Sequence, residues 1–329
     1  MQISDPLFSC WVVTDGNAGM ETQCLGLAEA LGLSPQVKRI SLRAPWDWMP
    51  PRLGSLVCPL AGLDPRGDRL APPWPDLLIA TGRRSVAAVA AIRRISGKTV
   101  VVQLQNPQFS LAAFDLVVTP LHDGVQGPNV LTTTGALHRV TRARLDAAAI
   151  EFSASLAHLP RPLVTVLVGG ANKAYRMTPR IIGDFCAGLR VLAETSGCGF
   201  AVTPSRRTGE ENVAALRRGL EGVAHVLWDG AGSNPYFGYL GLADAVIVTS
   251  DSVNMTGEAC AAGKPVYAYD LPGGSAKFSA FHRAMRASGA VRPFVPGTTR
   301  QLEIWTPPVI DDTAMVADAV RRILNARNN

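Results

Sequence analysis

The sequence predicts an α/β protein built from two Rossmann-like, doubly wound parallel-sheet domains facing a cleft. Three observations predict it. Short apolar runs alternate with helical patterns along nearly the whole chain. The runs are continuously apolar rather than alternating, as in strands covered by helices on both faces. The alternation restarts after the Pro-rich break "LPRP" at 159–162, and 329 residues suffice for two domains of about 150 each.

The elements follow in order. "CWVVT" (10–14) reads as a strand leading into a helix from about Met20 to Leu31. A Pro- and Trp-rich excursion, 43–75, follows with no clean period and reads as a surface lobe. "DLLIAT" then leads into the helical "RRSVAAVAAIRRI", followed by "KTVVVQL", "FDLVVTP" and "NVLTTT" as strands. After a helix at about 142–157, the second half brings "LVTVLVGG", a helix near 179–195 and "GFAVTPS". A helix near 210–219, "AHVLWD" and a helix near 235–241 come next. "DAVIVTS", another helix and "KPVYAYD" complete that run. The final "DDTAMVADAVRRILNAR" opens on acids, closes on bases and carries Met315, Val316, Ala319, Val320 and Leu324 on one face, which marks a helix. The domains are therefore expected at 1–158 and 159–305, with a C-terminal helix in 306–329.

Composition narrows the function classes. Hydrophobic residues at 47% and charged residues at 18% describe a globular chain. Net charge is +6, suiting either plain solubility or attraction to phosphates and anionic membrane surfaces. No Lys/Arg run with interleaved aromatics suggests a nucleic-acid groove. Six cysteines (Cys10, Cys24, Cys58, Cys186, Cys198, Cys260) are widely spaced without C-x-x-C, pointing to a reducing compartment. "MQISDPLFSCWVV" does not read as a signal peptide, and no apolar run reaches the roughly 20 residues of a membrane span. The expectation is a cytoplasmic protein, at most peripheral to a membrane.

The polar residues collect at the carboxyl ends of the strands, where ligands bind in open parallel sheets. In "TDGNAGMETQ" (14–23), Gly16 and Gly19 allow a tight turn and close backbone approach to an anion at the helix start, or simply a βα turn. "ATGRRS" (80–85), "QLQNP" (103–107) and "TPLHDG" (119–124) place Arg83, amides, His122 and Asp123 at the same edge. In the second half, Gly169 and Gly170 precede Asn172 and Lys173 in a turn that can take a phosphate or stand bare. Ser205, Arg206 and Arg207 suit a diphosphate or a base edge, or a solvated helix start.

The stretch "VIVTSDSVNMTGEACAAGKPVYAYDLPG" (246–273) carries most weight. One of Ser250, Asp251 and Ser252 caps the helix that follows. Glu258 lies within that helix, close to Gly263 and Pro265, where a carboxylate can accept two hydrogen bonds from a ribose diol while Ser252 and the helix N-terminus face phosphates. Its plainer reading is an exposed helical carboxylate. Competing motifs fail on spacing: no G-x-G-x-x-G follows the first strand, the Gly-Lys pairs do not form a P-loop, and G-x-S-x-G and D-x-D are absent. Scattered histidines give no metal-ligand pattern.

"WVVTDGNAGMETQCLGLAEALG", "LLIATGRRS", "VQLQNP", "FDLVVTPLHDG", "LVGGANKAY" and "VTSDSVNMTGEACAAGKPVY" together resemble the ELM1-like proteins, the mitochondrial-fission ELM1 family and its bacterial relatives. The resemblance runs over about 10–325. It implies either of two functions: plant members recruit a dynamin-related fission protein at the mitochondrial surface, and bacterial members are associated with nucleoside-diphosphate-sugar chemistry. The second half is also similar to the donor domain of GT-B glycosyltransferases of the MurG-like branch. There a Gly-rich turn is followed by a Glu-bearing helix that ends in Gly-x-Pro. That similarity implies that Glu258 holds the donor ribose and that the last helix crosses back to the first domain.

The leading expectation is thus a GT-B-like, metal-independent glycosyltransferase with a nucleotide-diphosphate sugar as co-substrate and no bound cofactor. The first domain would take the acceptor, a lipid or polysaccharide. Asp15, His122 and Asp123 are the candidate bases for the acceptor hydroxyl. Arg206 and the N–H groups after Ser250 are candidates for the departing diphosphate. Two alternatives stand beside it: a non-enzymatic adaptor that meets a partner protein through Trp46, Trp48 and Trp74, and a nucleotide-sugar epimerase on the same fold.

Overall fold

The computed structural model describes residues 8–49, 60–303 and 305–328, without the side chains of His122 and Asn328. Cys58 and the middle of the 43–75 excursion lie outside the described residues. The chain divides into two compact units: residues up to Arg139 with those from Asp311 onward, and Val140–Ile310.

The first unit holds β1 (Cys10–Thr14), α1 (Ala18–Ala30), β2 (Gln36–Arg39), β3 (Leu77–Thr81), α2 (Val86–Ser96), β4 (Val100–Leu104), β5 (Leu116–Pro120) and β6 (Val130–Thr133). Its sheet is parallel throughout, in the order β2-β1-β3-β4-β5-β6. Residues of β1 alternate between two covered faces. Cys10 and Val12 join Leu27 of α1, whereas Trp11 and Val13 join Val86, Val89 and Ile92 of α2. Both faces are apolar, so the strand reads as an unbroken hydrophobic run.

The final helix, α9 (Asp312–Asn328), belongs to this unit. Val316, Ala317, Val320 and Leu324 pack into the α1 face of the sheet. Its start is tied to the same unit: Asp312 accepts from the Gly135 N–H at 2.6 Å and Thr313 from the His138 N–H at 3.0 Å.

The second unit holds α3 (Arg142–Leu156), β7 (Leu163–Val168), α4 (Pro179–Ser196), β8 (Gly199–Pro204), α5 (Glu210–Gly219), β9 (His225–Leu227), α6 (Tyr236–Leu242), β10 (Ala245–Thr249), α7 (Val253–Ala261), β11 (Val266–Tyr269), α8 (Ala276–Ala287) and β12 (Val291–Pro293). The parallel sheet runs β12-β11-β10-β7-β8-β9. From its first strand the chain moves outward to β8 and β9, then returns to β10 on the other side of β7. The switch point is therefore between β7 and β10, where an open α/β sheet leaves a crevice. Helices α4 and α5 cover one face and α7 and α8 the other.

The boundary expected at 158 lies instead at Arg139. Helix α3 packs on α6 of the second unit through glycines: a Cβ on Gly238 would meet Phe152 at 2.5 Å, and one on Gly241 the Leu145 carbonyl at 2.5 Å. The Pro-rich break thus separates α3 from β7 inside one unit. In the excursion, Trp74 packs edge-on against Trp11 at 6.1 Å and Trp46 lies over Gly62, while Trp48 is 76% exposed. The described cysteines, Cys10, Cys24, Cys186, Cys198 and Cys260, are all buried and unbridged. Burial pushes the Cys10 and Cys260 thiols up to about 12, which keeps them as inert core groups. Among the described residues no helix is long and apolar enough to cross a membrane.

Candidate functional site

The second unit's switch point brings together residues from three adjacent strand ends. Gly169 and Gly170 follow β7, Ser205 and Arg206 follow β8, and Ser250, Asp251 and Ser252 follow β10. At the centre is Asp251, 2% exposed. It accepts from the Gly170 N–H at 2.9 Å, the Thr249 hydroxyl at 2.7 Å and the Arg207 guanidinium at 2.9 Å. Thr249 in turn accepts from the Gly169 N–H at 2.8 Å. A buried carboxylate needs such partners to stay ionised out of water.

This brace explains the paired glycines. A Cβ on Gly169 would lie 2.2 Å from the Asp251 carboxylate, and one on Gly170 2.0 Å from the Arg207 carbonyl. Their missing side chains make room for the protein's own groups. Asn172 continues the turn: its Nδ2 donates to the Asp251 carbonyl at 3.3 Å, and its Oδ1 accepts from Ala174 and Tyr175. The loop is then pinned to the one after β11, with Arg176 N–H on the Pro272 carbonyl and Gly274 N–H on that of Ala174.

Ser252 is the N-cap of α7 and accepts from Met255 N–H at 3.3 Å. Ser250 accepts from Leu271 N–H at 3.0 Å, and its carbonyl meets His282 Nε2 at 2.7 Å. Glu258 lies in the second turn of α7 and is 8% exposed, so the exposed-carboxylate reading does not hold. Its Oε2 accepts from the Tyr236 hydroxyl at 2.5 Å. Burial, then the Glu258 charge and this hydrogen bond, hold the Tyr236 phenol well above its usual value, so it remains a donor.

Ser205 opens the loop after β8. Its N–H meets the Val168 carbonyl at 2.8 Å and Thr208 Oγ1 at 3.0 Å, and its Oγ accepts from Arg207. Arg206 turns into a pocket beside α5. Thr249, Arg207, Thr208, Tyr236 and His282 complete the network, and the sequence pattern marks only Arg207 among them. A Tyr 22 residues from its Glu, or a His 32 residues from the backbone it holds, leaves no local signal.

In the first unit, Asp15 follows β1 and accepts from Asn17 N–H at 3.2 Å. Asn17 caps α1 by accepting from Gly19 and Met20, and Gly16 N–H donates to Thr14. A Cβ added at Gly82, just after β3, would stand 3.5 Å from the Asp15 carboxylate. His122 and Asp123 form a short turn after β5. β1 and β5 are three strand positions apart, about 14 Å at the usual spacing. Asp15 and the His122–Asp123 turn are therefore alternatives, not partners in one constellation.

Two doubly wound units, the second with a Gly-Gly turn and a Glu-bearing helix at its switch point, define a GT-B-like α/β protein. The same fold occurs in UDP-GlcNAc 2-epimerase from Neisseria meningitidis, solved bound to UDP-GlcNAc: TM-score 0.53 at 12% identity, covering 96% of this chain and 100% of that one. The enzyme of the same name from Methanocaldococcus jannaschii matches at TM-score 0.53 and 12% identity, with 97% and 99% covered. The chain belongs to the mitochondrial fission ELM1 family, whose model matches residues 18–324. The mitochondrial fission protein ELM1 of Arabidopsis thaliana is 35% identical over 287 residues, 77% of this chain. The match spans 65% of that relative's length.

Proposed function

We propose that the second unit binds a nucleotide-diphosphate sugar at the carboxyl edge of its sheet, and that the protein is a GT-B-like, metal-independent glycosyltransferase. One observation carries this reading: Glu258 is a buried carboxylate on the helix that starts at the switch point, held by a neutral phenol. Such a group is preorganised to accept hydrogen bonds from a ribose diol. The positive end of α7 at Ser252 is placed for the diphosphate. The Asp251 brace fixes the backbone of the Gly169–Gly170 turn on which that diphosphate would rest. In the first unit one group, Asp15, His122 or Asp123, would take the proton of an acceptor hydroxyl on a lipid or polysaccharide. The likeness of fold to two UDP-GlcNAc 2-epimerases supports epimerisation as a reading that shares the donor pocket.

A second function rests on a different observation. Trp48 is 76% exposed in a chain of the ELM1 family, and an exposed indole is a natural anchor for a partner protein at a membrane. A sequence pI near 9.2 favours approach to an anionic surface.

Thermal-shift screening with UDP, GDP, CDP, TDP and their sugars tests the first reading. At least one nucleotide raises the melting temperature of the wild type and fails to do so for Glu258→Ala. Consumption of the sugar nucleotide with and without acceptor then separates transfer from epimerisation. No shift with any nucleotide, together with partner capture lost in Trp48→Ala, would establish the adaptor instead.

A further inference from the structure

The paired glycines after β7 make room for an anion, and the chain supplies that anion itself. The Asp251 side chain is 0% exposed. Its Oδ2 accepts from the Gly170 N–H and from Arg207 Nη2, each at 2.9 Å, and its Oδ1 from the Thr249 hydroxyl at 2.7 Å. We propose that Asp251 is an internal anion filling the oxyanion cradle of the Gly169–Gly170 turn, so that the site selects against a ligand phosphate bonded to that turn. The consequence for nucleotides rests on Glu258 being a ribose site; the filled cradle does not.

Three devices that hold phosphate in open α/β sheets converge on this one carboxylate. The first is the backbone of a glycine turn. Gly170 N–H is spent on Asp251, and Gly169 N–H on the Thr249 hydroxyl at 2.8 Å. A Cβ on Gly169 would lie 2.2 Å from each carboxylate oxygen, so the space that glycine leaves open is already occupied. The second device is a guanidinium, and Arg207 is paired with Asp251. The third is a helix N-terminus, and Asp251 immediately precedes Ser252, the N-cap of α7. Ser252 makes the capping bond to Met255 N–H, so the helix does not need the Asp251 carboxylate as its cap.

Stability alone does not account for the carboxylate. A buried ion pair is often no more stabilising than apolar groups of the same volume, because both charges give up water. Here the pair also consumes the turn's donors. Arg207 and Asp251 offset one another, which leaves no surplus positive charge between them for a second anion. A diphosphate reaching the turn meets bonded N–H groups and a carboxylate of its own sign behind them. A sugar nucleotide then owes its affinity to its ribose and base rather than to phosphate at this turn.

Anion rescue of Asp251→Ala in the full chain tests the filled cradle. Truncation removes the carboxylate and keeps the donors around it. Sodium formate, compared with sodium chloride at equal ionic strength, should raise the melting temperature of Asp251→Ala by about 3 °C. The wild type should not respond. Refolding yield in formate against chloride reads the same rescue where Asp251→Ala is too unstable to melt. Adding Arg207→Gln to Asp251→Ala should abolish the rescue, and Asp251→Asn, which keeps the cradle filled, should show none. By calorimetry UDP should bind Asp251→Ala about tenfold more tightly than wild type, whereas uridine should bind both alike. No formate rescue of Asp251→Ala, an equal response in the wild type, or UDP binding weakened by Asp251→Ala overturns the inference. Absence of uridine and UDP binding to both proteins would count against Glu258 as a ribose site, and the formate comparison would still decide whether Asp251 fills an anion cradle.

Discussion

The Tyr236 hydroxyl lies 2.5 Å from Glu258 Oε2, joining the first turn of α6 to the second turn of α7. Both helices flank β10, so the bond ties the two crossovers that frame the switch point. Tyr236→Phe removes a donor from a buried carboxylate and should cost about 1–3 kcal/mol of stability. Thermal unfolding measures it. In a chain that binds a nucleotide, the same change loosens Glu258 and lowers affinity for ribonucleotides more than for inorganic phosphate. An unchanged melting temperature would show that the bond contributes nothing.

The glycines of the switch point carry the opposite expectation from an exposed helical glycine such as Gly183. Gly169→Ala drives a methyl group into the Asp251 carboxylate and should cost about 3 kcal/mol. Gly170→Ala meets backbone at Arg207, which yields less readily. Gly183, exposed in α4, has nothing within 4 Å of its would-be Cβ, and Gly183→Ala should stabilise by about 0.5–1 kcal/mol. Chemical denaturation of the three variants ranks them. Equal effects at all three positions would contradict the brace.

Asp251→Ala tests the brace from the other side. It strips the partner from Arg207, the Gly170 N–H and the Thr249 hydroxyl together. The loss should reach about 3 kcal/mol, because the remaining groups are buried or half-buried and were arranged around that charge. Arg207→Gln should cost less, since the guanidinium side chain is 44% exposed and the carboxylate keeps its two other donors. Urea melts of the pair read the difference.

The central strands and most helices were legible because their chemistry is local. "CWVVT", "DLLIAT" and "LVTVLV" are unbroken apolar runs, and each holds a strand with every residue buried. Helix α4 is marked by Thr178, Pro179 and Gly197, which cap, open and close it. Two of the four edge strands were not legible. "QVKR" (36–39) is half-exposed and charged, and "VRP" (291–293) is three residues long, so neither stands out from a loop. Helix α8, "AKFSAFHRAMRA", also escaped, although Ser275 caps it. The domain boundary misled because Pro-rich "LPRP" looks like a linker, whereas the glycines of α6 that receive α3 lie about 80–90 residues further on. At the site, strand-end residues were legible by position, while their long-range partners were not.

One carboxylate helps to fasten the last turn of the C-terminal helix. Asp115, with its side chain 8% exposed, accepts from Arg93 at 2.9 Å, from Arg327 at 2.7 Å and from the Val101 N–H at 2.8 Å. Asp115→Ala should destabilise the first unit by about 3 kcal/mol. Arg327→Ala should cost about 1 kcal/mol or less, because Asp115 retains Arg93 and the backbone donor. Hydrogen exchange distinguishes them. Both variants should speed exchange in the last turns of α9, and only Asp115→Ala should also speed it in β4.

His282 gives the second unit a pH dependence whose sign is fixed by burial. The imidazole is 6% exposed, and burial lowers its pKa below the usual 6.5, although the Ser250 carbonyl and the charges of Asp270 and Asp251 pull it back up while Arg286 pushes it down. The folded chain therefore takes the proton less readily than the unfolded chain. Stability associated with neutral His282 is complete above about pH 6.5 and is lost as pH falls through the folded value. The tautomer protonated at Nε2 donates to the Ser250 carbonyl at 2.7 Å and holds the turn that carries Asp251. His282→Gln can keep an amide donor on that carbonyl without titrating. Melting temperatures measured from pH 7.5 to 5 should fall for the wild type and fall less for His282→Gln. Parallel curves for the two proteins would assign the acid sensitivity to other groups.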